Sequence, residues 1–320
     1  MTSYVLRRLL FLLLSLAAAM VVLFFLLRLL PGNAANALLP LDATPEQIAA
    51  AEAALGTDRP LWQQFFEWAG QMARLDLGES FISQLPVLPE IAVRLQVTVP
   101  LTLMSFVIAA LLSVGIGFVA GYRADRWYGT ALSGFSQLGV AVPVFWVGIL
   151  LVWVFALGLG WLPSGGFPRR DWAYPGAALT ALILPVATIV IVMSASMSRY
   201  VRSATIDVLG SDFLRTSRAL GATSGEAMLR HGLRNAAVPV IAILGIELAT
   251  TFLGAVVVES VFTLPGLGTM LLTAIAQHDY PNIQGILFIS TVFVLLVGCA
   301  ADIIQRVVDP RLRTSLSGNR

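Results

Sequence analysis

The 320-residue chain contains no lysine. That absence excludes a P-loop, which needs a lysine at the nucleotide phosphates. Cysteine occurs once, at Cys299, so no intramolecular disulfide can form, and its place in the last apolar run reads as a small packed side chain. Only His231 and His278 represent histidine. Charged residues make up 12% of the chain, about half the share of an ordinary soluble domain. So few scattered groups do not furnish the paired nucleophile and base, or the metal cluster, of an enzyme site. No catalytic residue and no metal ligand is assigned.

Apolar residues make up 58% of the sequence, and mean hydropathy is +0.84. They are concentrated in six runs, at about 9–30, 98–121, 133–160, 177–198, 236–258 and 283–304. Each is long enough to cross a hydrocarbon core of about 30 Å as helix, which takes roughly 20 residues. The runs do not alternate with period two, so a β-barrel is excluded. The expected fold class is therefore an all-α integral membrane protein with about six transmembrane helices, embedded in a lipid bilayer. The third run is long enough to tilt, or to break near Pro143. The first is read as an uncleaved helix, although Arg7-Arg8 precede it and Ala35-Asn36-Ala37 loosely resembles a cleavage site. Leu9–Leu27 is uninterrupted and longer than a signal h-region of about 7–15 residues.

Within the runs the charged residues are Arg28, Glu247 and Asp302. Arg28, near one boundary, can snorkel to the interface. Asp302, near the other, is read as the partner of Arg306 one turn on. Glu247 has two open readings: a pathway residue meeting a cationic group, or a hydrogen bond to a neighbouring helix. The Gly117–Gly121 spacing matches GxxxG, but glycine is frequent in membrane helices and the spacing is assigned no role.

Arginine sets the orientation. Segments 1–8, 122–132, 199–235 and 305–320 hold 14 Arg and 5 acidic residues; segments 31–97, 161–176 and 259–282 hold 5 Arg and 11 acidic residues. The positive-inside rule then places both termini in the cytoplasm. It also places His231 and His278 on opposite sides. The basic pI near 9.0 is accounted for by this facing of anionic lipid, with no nucleic acid required. The expected segments are a first transmembrane helix (1–30), an extracytoplasmic loop with short helices (31–97), a core of five spans (98–304) and a cytoplasmic tail (305–320).

Two connections are large enough to hold structure. In the outer one, Thr44–Leu55 and Leu61–Ala73 are helix-like, with Thr44 as cap, Pro45 at the first helical position, and Glu46 and Gln47 in the opening turn. Trp62, Phe65, Phe66 and Trp68 suggest an interfacial aromatic surface, for anchoring or for substrate. The inner one, 199–235, carries six Arg and is cut by Gly210, Gly221 and Gly225. Between Asp212 and Leu220, the apolar Phe213, Leu214, Ala219 and Leu220 predict a short amphipathic helix ending at Gly221, a suitable C-cap residue. Such a helix could lie on the membrane or enter another protein's groove. No tandem repeat is visible, so any two-fold symmetry must come from a second chain.

Arg215-Thr216-Ser217-Arg218-Ala219-Leu220-Gly221, followed by Arg230-His231-Gly232-Leu233-Arg234-Asn235-Ala236 and Pro239, resembles the EAA loop of ABC-importer permeases. The chain is similar along nearly its whole length to B-type subunits of the dipeptide/oligopeptide/nickel permease family. The matching elements are Arg7-Arg8, Pro31-Gly32, Gly56-Thr57-Asp58-Arg59-Pro60, Leu75–Ser80, Pro143–Gly148, Leu162–Gly165, Val258–Phe262 with Pro265–Gly268, Asp279-Tyr280-Pro281 and Asp309-Pro310-Arg311. Departures stand at His278 (usually Arg), Glu247 (commonly Gln), Cys299-Ala300 and Gln305.

The resemblance implies a type I ABC-importer permease fold in the bacterial cytoplasmic membrane. It makes Asp212, Phe213, Leu214, Arg215, Thr216, Arg218, Ala219 and Gly221 the coupling surface, with apolar side chains entering a groove of an ATPase subunit. It implies a second homologous permease, two ABC ATPase subunits holding ATP and Mg, and an extracytoplasmic substrate-binding protein, with no cofactor in this chain itself. Glu247, Glu259 and Pro143 are the pathway candidates. The implied cargo is a di- or oligopeptide. Nickel or a metal–chelator complex is the alternative within the family, and a stand-alone secondary transporter the alternative from another class.

Overall fold

A computed structural model describes residues 2–29, 43–55 and 59–308. Pro31-Gly32, Ala35–Ala37, Gly56-Thr57-Asp58 and Asp309-Pro310-Arg311 lie outside the described residues. The helices are α1 (Thr2–Leu29), α2 (Pro45–Leu55), α3 (Leu61–Ala73), α4 (Val87–Tyr122), α5 (Trp127–Ala141), α6 (Val144–Leu151), α7 (Pro175–Leu209), α8 (Asp212–Ala219), α9 (Ser224–Ala227), α10 (Leu233–Val261), α11 (Leu267–Ala276) and α12 (Tyr280–Val308). Wider π turns extend α6 over Val152–Gly158 and join α9 to α10 over Met228–Gly232. No strand occurs among the described residues, only an isolated bridge between Glu79 and Pro86.

Five stretches are long and apolar enough to cross a membrane: Tyr4–Arg28, Val87–Tyr122, Pro175–Leu209, Ser224–Val261 and Tyr280–Val308. A sixth exists if α5 and α6 with its π extension form one span, but they meet at 100°. The third apolar run therefore breaks rather than tilts, and Pro143 explains the break. Pro143 has no N–H to continue α5, and its ring drives Val142 out of the helical region to φ −91°, ψ 125°. Pro143 then caps α6, its carbonyl accepting from Trp146 N at 3.0 Å. Pro100, Pro185 and Pro239 stay inside helices, as neighbouring groups in membrane bundles permit.

Most spans outrun their apolar cores. α4 begins at Val87, inside the segment expected to be loop, and α7 runs on to Leu209. Gly225 does not interrupt the chain as expected. It sits in the first turn of α9, where Thr223 and Glu226 form a reciprocal capping box, and helix continues to Val261.

The described residues form two compact units, which do not follow the expected segments: 2–6, 99–264 and 296–308 in one, 7–98 and 265–295 in the other. In the first, α7 buries far more of its length than any other span. α5 packs on α7 with Ser136 and Ser198 hydroxyls 2.7 Å apart. α4 approaches α7 through glycine: a Cβ at Gly117 would lie 2.5 Å from the Ser198 carbonyl oxygen, and one at Gly121 2.7 Å from Thr205 Cβ. The spacing left without a role is thus the seat of a close helix crossing. Gly117→Ala is expected to destabilise the folded chain by about 1–3 kcal/mol through overpacking. Gly115→Ala, where nothing lies within 4 Å, should be neutral; thermal unfolding of both variants in detergent checks the pair. Near the chain ends, Tyr4 donates to the Asp302 carbonyl at 3.4 Å and lies 3.9 Å beneath the Arg306 guanidinium.

In the second unit α3 turns one face onto α1. Phe24 is 5.3 Å from Phe65 and 5.7 Å from Trp68, ring to ring. Arg28 lies 4.2 Å over the Phe24 ring and donates to Gln64 Oε1, while Trp68 Nε1 donates to Gln284 at 3.0 Å. The aromatic cluster read as one surface is therefore divided, with Phe65 and Trp68 packing inward and Trp62 and Phe66 exposed. Thr44 and Gln47 cap α2 reciprocally, Thr44 N to Gln47 Oε1 at 2.9 Å.

Candidate functional site

Two places in the first unit gather the candidate residues. One is the segment between α7 and α10. α8 is too short to be stable by propensity alone, and its two ends and inner face supply what propensity does not. Its C-terminus is a Schellman turn: Gly221 N–H donates to Arg218 O at 3.0 Å and Ala222 N–H to Ser217 O at 3.2 Å. Gly221 takes φ +96°, a conformation open to glycine and costly to residues with a Cβ. The inner face is Leu214, 2% exposed, packed with Val208, Ala227, Met228 and Ala236 while Phe213 closes over the cluster.

That burial corrects one expectation: Leu214 cannot enter a partner's groove, because it is part of this chain's own core. Phe213 is half-buried on the same cluster. The exposed face is Asp212, Arg215, Thr216, Arg218, Ala219 and Leu220, the last 85% exposed. Leu220, absent from the expected coupling set, is its most prominent apolar side chain. Arg215 lies 3.5 Å from Asp212, both in solvent, where such a pair contributes little. The π turn Met228–Gly232 carries Arg230 and His231, and Asn235 Nδ2 ties it down by donating to His231 O at 2.8 Å. The Thr223 capping box that fixes the start of this helix was legible as Thr-x-x-Glu.

The second place is a cavity of about 280 Å³ at the α5–α6 bend, lined among others by Val140, Val144, Met193, Ser196, Glu247 and Thr251. Val140 and Val144 flank Pro143, so the bend shapes one wall. Glu247 lies midway along α10, and Ser196 Oγ on α7 donates to its Oε1 at 3.2 Å. The two open readings of Glu247 are therefore compatible: it bonds a neighbouring helix and also lines a cavity. Thr250 and Thr251 hydroxyls return to the Glu247 carbonyl at 3.0 and 2.6 Å. Glu259 stands apart, fully buried and absent from the cavity lining. Its carbonyl accepts from Leu264 N at 2.8 Å, shaping the turn after α10.

Separated motifs converge in each unit. In the first, Gly148 and Gly165 both abut buried Phe262, and Gly166 N–H donates to the Phe262 carbonyl at 2.8 Å. In the second, Asp279, 1% exposed, accepts from Ser80 Oγ at 2.6 Å, Phe81 N at 3.1 Å and Asn282 Nδ2 at 2.8 Å. No group of three or more His, Cys, Asp or Glu side chains among the described residues is placed to hold a metal ion.

A multi-span helical protein with a short capped helix outside its spans and a carboxylate-lined cavity within them has the architecture of a membrane permease. Residues 113–314 match the family described as binding-protein-dependent transport system inner membrane component, and residues 1–102 match the N-terminal family of such membrane components. The chain belongs to the binding-protein-dependent transport system inner membrane component family and is a multi-pass permease subunit of an ABC importer. It is 37% identical over 292 residues to a Brucella abortus (strain 2308) protein provisionally named a peptide transport system permease, covering 91% of this chain and 92% of that one. It is 34% identical over 313 residues to the glutathione transport system permease protein GsiC of Escherichia coli (strain K12), covering 98% and 99%. The fold is shared with an amino acid ABC transporter crystallised with histidines (TM-score 0.53, 19% identity, 68% of this chain and 94% of that one). It is shared too with the MetNI methionine ABC transporter in inward facing conformations (TM-score 0.53, 16% identity, 68% and 96%).

Proposed function

We propose that this chain forms, with a second homologous permease, the pathway through which peptides delivered by an extracytoplasmic binding protein cross the membrane. Two ABC ATPase subunits holding ATP and Mg supply the energy, since this chain lacks the lysine a P-loop requires. The single observation that carries the coupling reading is α8. Its inner face is sunk into this chain's core, its outer face is free, and its segment runs through a capped π turn into the helix that bears Glu247. Asp212, Arg215, Thr216, Arg218, Ala219 and Leu220 form the contact, and Phe213, Leu214 and Gly221 hold it in shape. A push on such a rigidly seated helix moves the attached spans as a body, the movement alternating access requires. The excess of arginine in this segment and at the ends of the chain supports both termini being cytoplasmic. Peptide cargo is supported by the names of the relatives above.

The test is uptake of labelled dipeptide, tetrapeptide and nickel by cells with and without this chain. Loss of peptide uptake on deletion is expected. Loss of nickel uptake alone would move the cargo to a metal or its chelate and leave the architecture standing.

A further inference from the structure

The cavity at the Pro143 bend has one charged lining side chain, Glu247, among walls that include Val140, Val144, Val192 and Met193. A carboxylate midway along a span costs about 2.5–3.5 kcal/mol to insert. Ser196 offsets little of that, since it donates one hydrogen bond to Oε1, and Oε2 accepts none from the described residues. Arg199 stands one turn from Ser196 on α7, and its contacts lie elsewhere. Its guanidinium lies 5.1 Å from the Tyr200 ring and donates to the Tyr200 hydroxyl at 3.4 Å instead. The carboxylate thus has an open coordination position facing a concave, mostly apolar space.

We propose that this cavity is a subsite for a primary ammonium group borne on an apolar body, so that Glu247 recognises the charged amine of cargo in transit. The inference rests on the peptide-import reading and deepens it. An anion would be repelled. A transition metal would find one carboxylate and a few hydroxyls, too few and too hard a donor set. A monovalent ammonium suits a single carboxylate, and its carbon skeleton suits the valine and methionine walls. The volume of about 280 Å³ lies just below the range of small-molecule sites, room for the end of a peptide rather than its length. A peptide can present this group as its amino terminus or as a lysine side chain.

The test uses the assembled transporter in proteoliposomes and tetrapeptides with a photoreactive diazirine in their first residue. One has a free amino terminus and no lysine, the second an acetylated terminus and a lysine at position one, the third neither amine. Illumination during transport is expected to label segments 189–196 and 247–258 with at least one amine-bearing peptide, and which peptide labels identifies the source of the ammonium. Glu247→Gln, isosteric but uncharged, is expected to reduce that labelling and the uptake of the same peptide about tenfold, whereas Glu247→Asp retains most of both. Equal labelling in wild type and Glu247→Gln overturns the proposal, as does equal labelling by the amine-free peptide, or uptake without labelling of these segments. Absence of any peptide uptake by the wild-type transporter overturns the cargo reading itself, and the subsite with it.

Discussion

Leu220→Asp is expected to abolish ATP-driven uptake while the chain accumulates in the membrane at its normal level. Leu220 is 85% exposed at the end of α8, and its neighbours on the free face are Asp212, Arg215, Thr216, Arg218 and Ala219. A large apolar side chain in that position gains little from its own chain, so its substitution leaves the fold intact. In a docked interface a few central anchors carry most of the binding, each costing about 2 kcal/mol or more when lost, and aspartate in place of an apolar anchor adds the cost of burying a charge. Leu214→Asp, six residues earlier, should also abolish uptake, but by another route. It buries an unpaired carboxylate among Val208, Ala227, Met228 and Ala236, costing about 4 kcal/mol or more. Limited proteolysis separates them: Leu214→Asp opens the segment between α7 and α10 to cleavage, and Leu220→Asp does not. Co-purification of the ATPase subunits should fall for both. Wild-type uptake by Leu220→Asp would remove α8 from the coupling route.

The spans were legible because hydrocarbon thickness imposes a length that composition alone reveals, and five of the six apolar runs lie within or nearly within a single helix, the third being divided at Pro143. Their ends were not, because α4 below residue 98 and α7 beyond residue 198 are held by packing, to which hydropathy is blind. Pro143 could be seen to permit a break, but the choice of a 100° bend over a tilt depends on how α5 and α6 pack against α7. In α8 the amphipathic pattern and the glycine stop were readable. Which apolar residue faced inward was not, since Leu214 and Leu220 differ only in what the rest of the chain brings beneath them. The closeness of Gly117 to Ser198, and of Glu247 to Ser196, likewise arises from contacts between helices remote in sequence.

Asp279→Ala is expected to be the most destabilising single change in the second unit. Asp279 sits just before α12, nearly fully buried, and its two carboxylate oxygens organise residues far apart in sequence. Oδ1 accepts the Phe81 amide, and Oδ2 accepts from the Ser80 hydroxyl and the Asn282 side chain. Ser80 Oγ in turn accepts from Ile82 N at 3.2 Å and Ser83 N at 2.9 Å, so a whole turn hangs on the one carboxylate. Alanine would strand at least the Phe81 and Asn282 donors in a site with little access to water, at about 1–3 kcal/mol each. The expected loss is thus about 3–5 kcal/mol, a large share of ordinary domain stability. Asp279→Asn keeps the volume and one accepting oxygen but turns an NH₂ toward groups that donate, so it should fall between wild type and alanine. Amide hydrogen exchange at Phe81, Ile82 and Ser83 reads the turn directly, and protection there should drop in the order wild type, Asn, Ala. The unfolding temperature of the detergent-solubilised transporter should follow the same order. Because no residue of the network belongs to α8 or lines the cavity, ATP-driven uptake per folded molecule should survive in the asparagine variant at permissive temperature. Unchanged exchange at Phe81 in Asp279→Ala would show that the turn is held by the bridge between Glu79 and Pro86 and the Val87 N–H to Gly78 O bond of 3.0 Å instead.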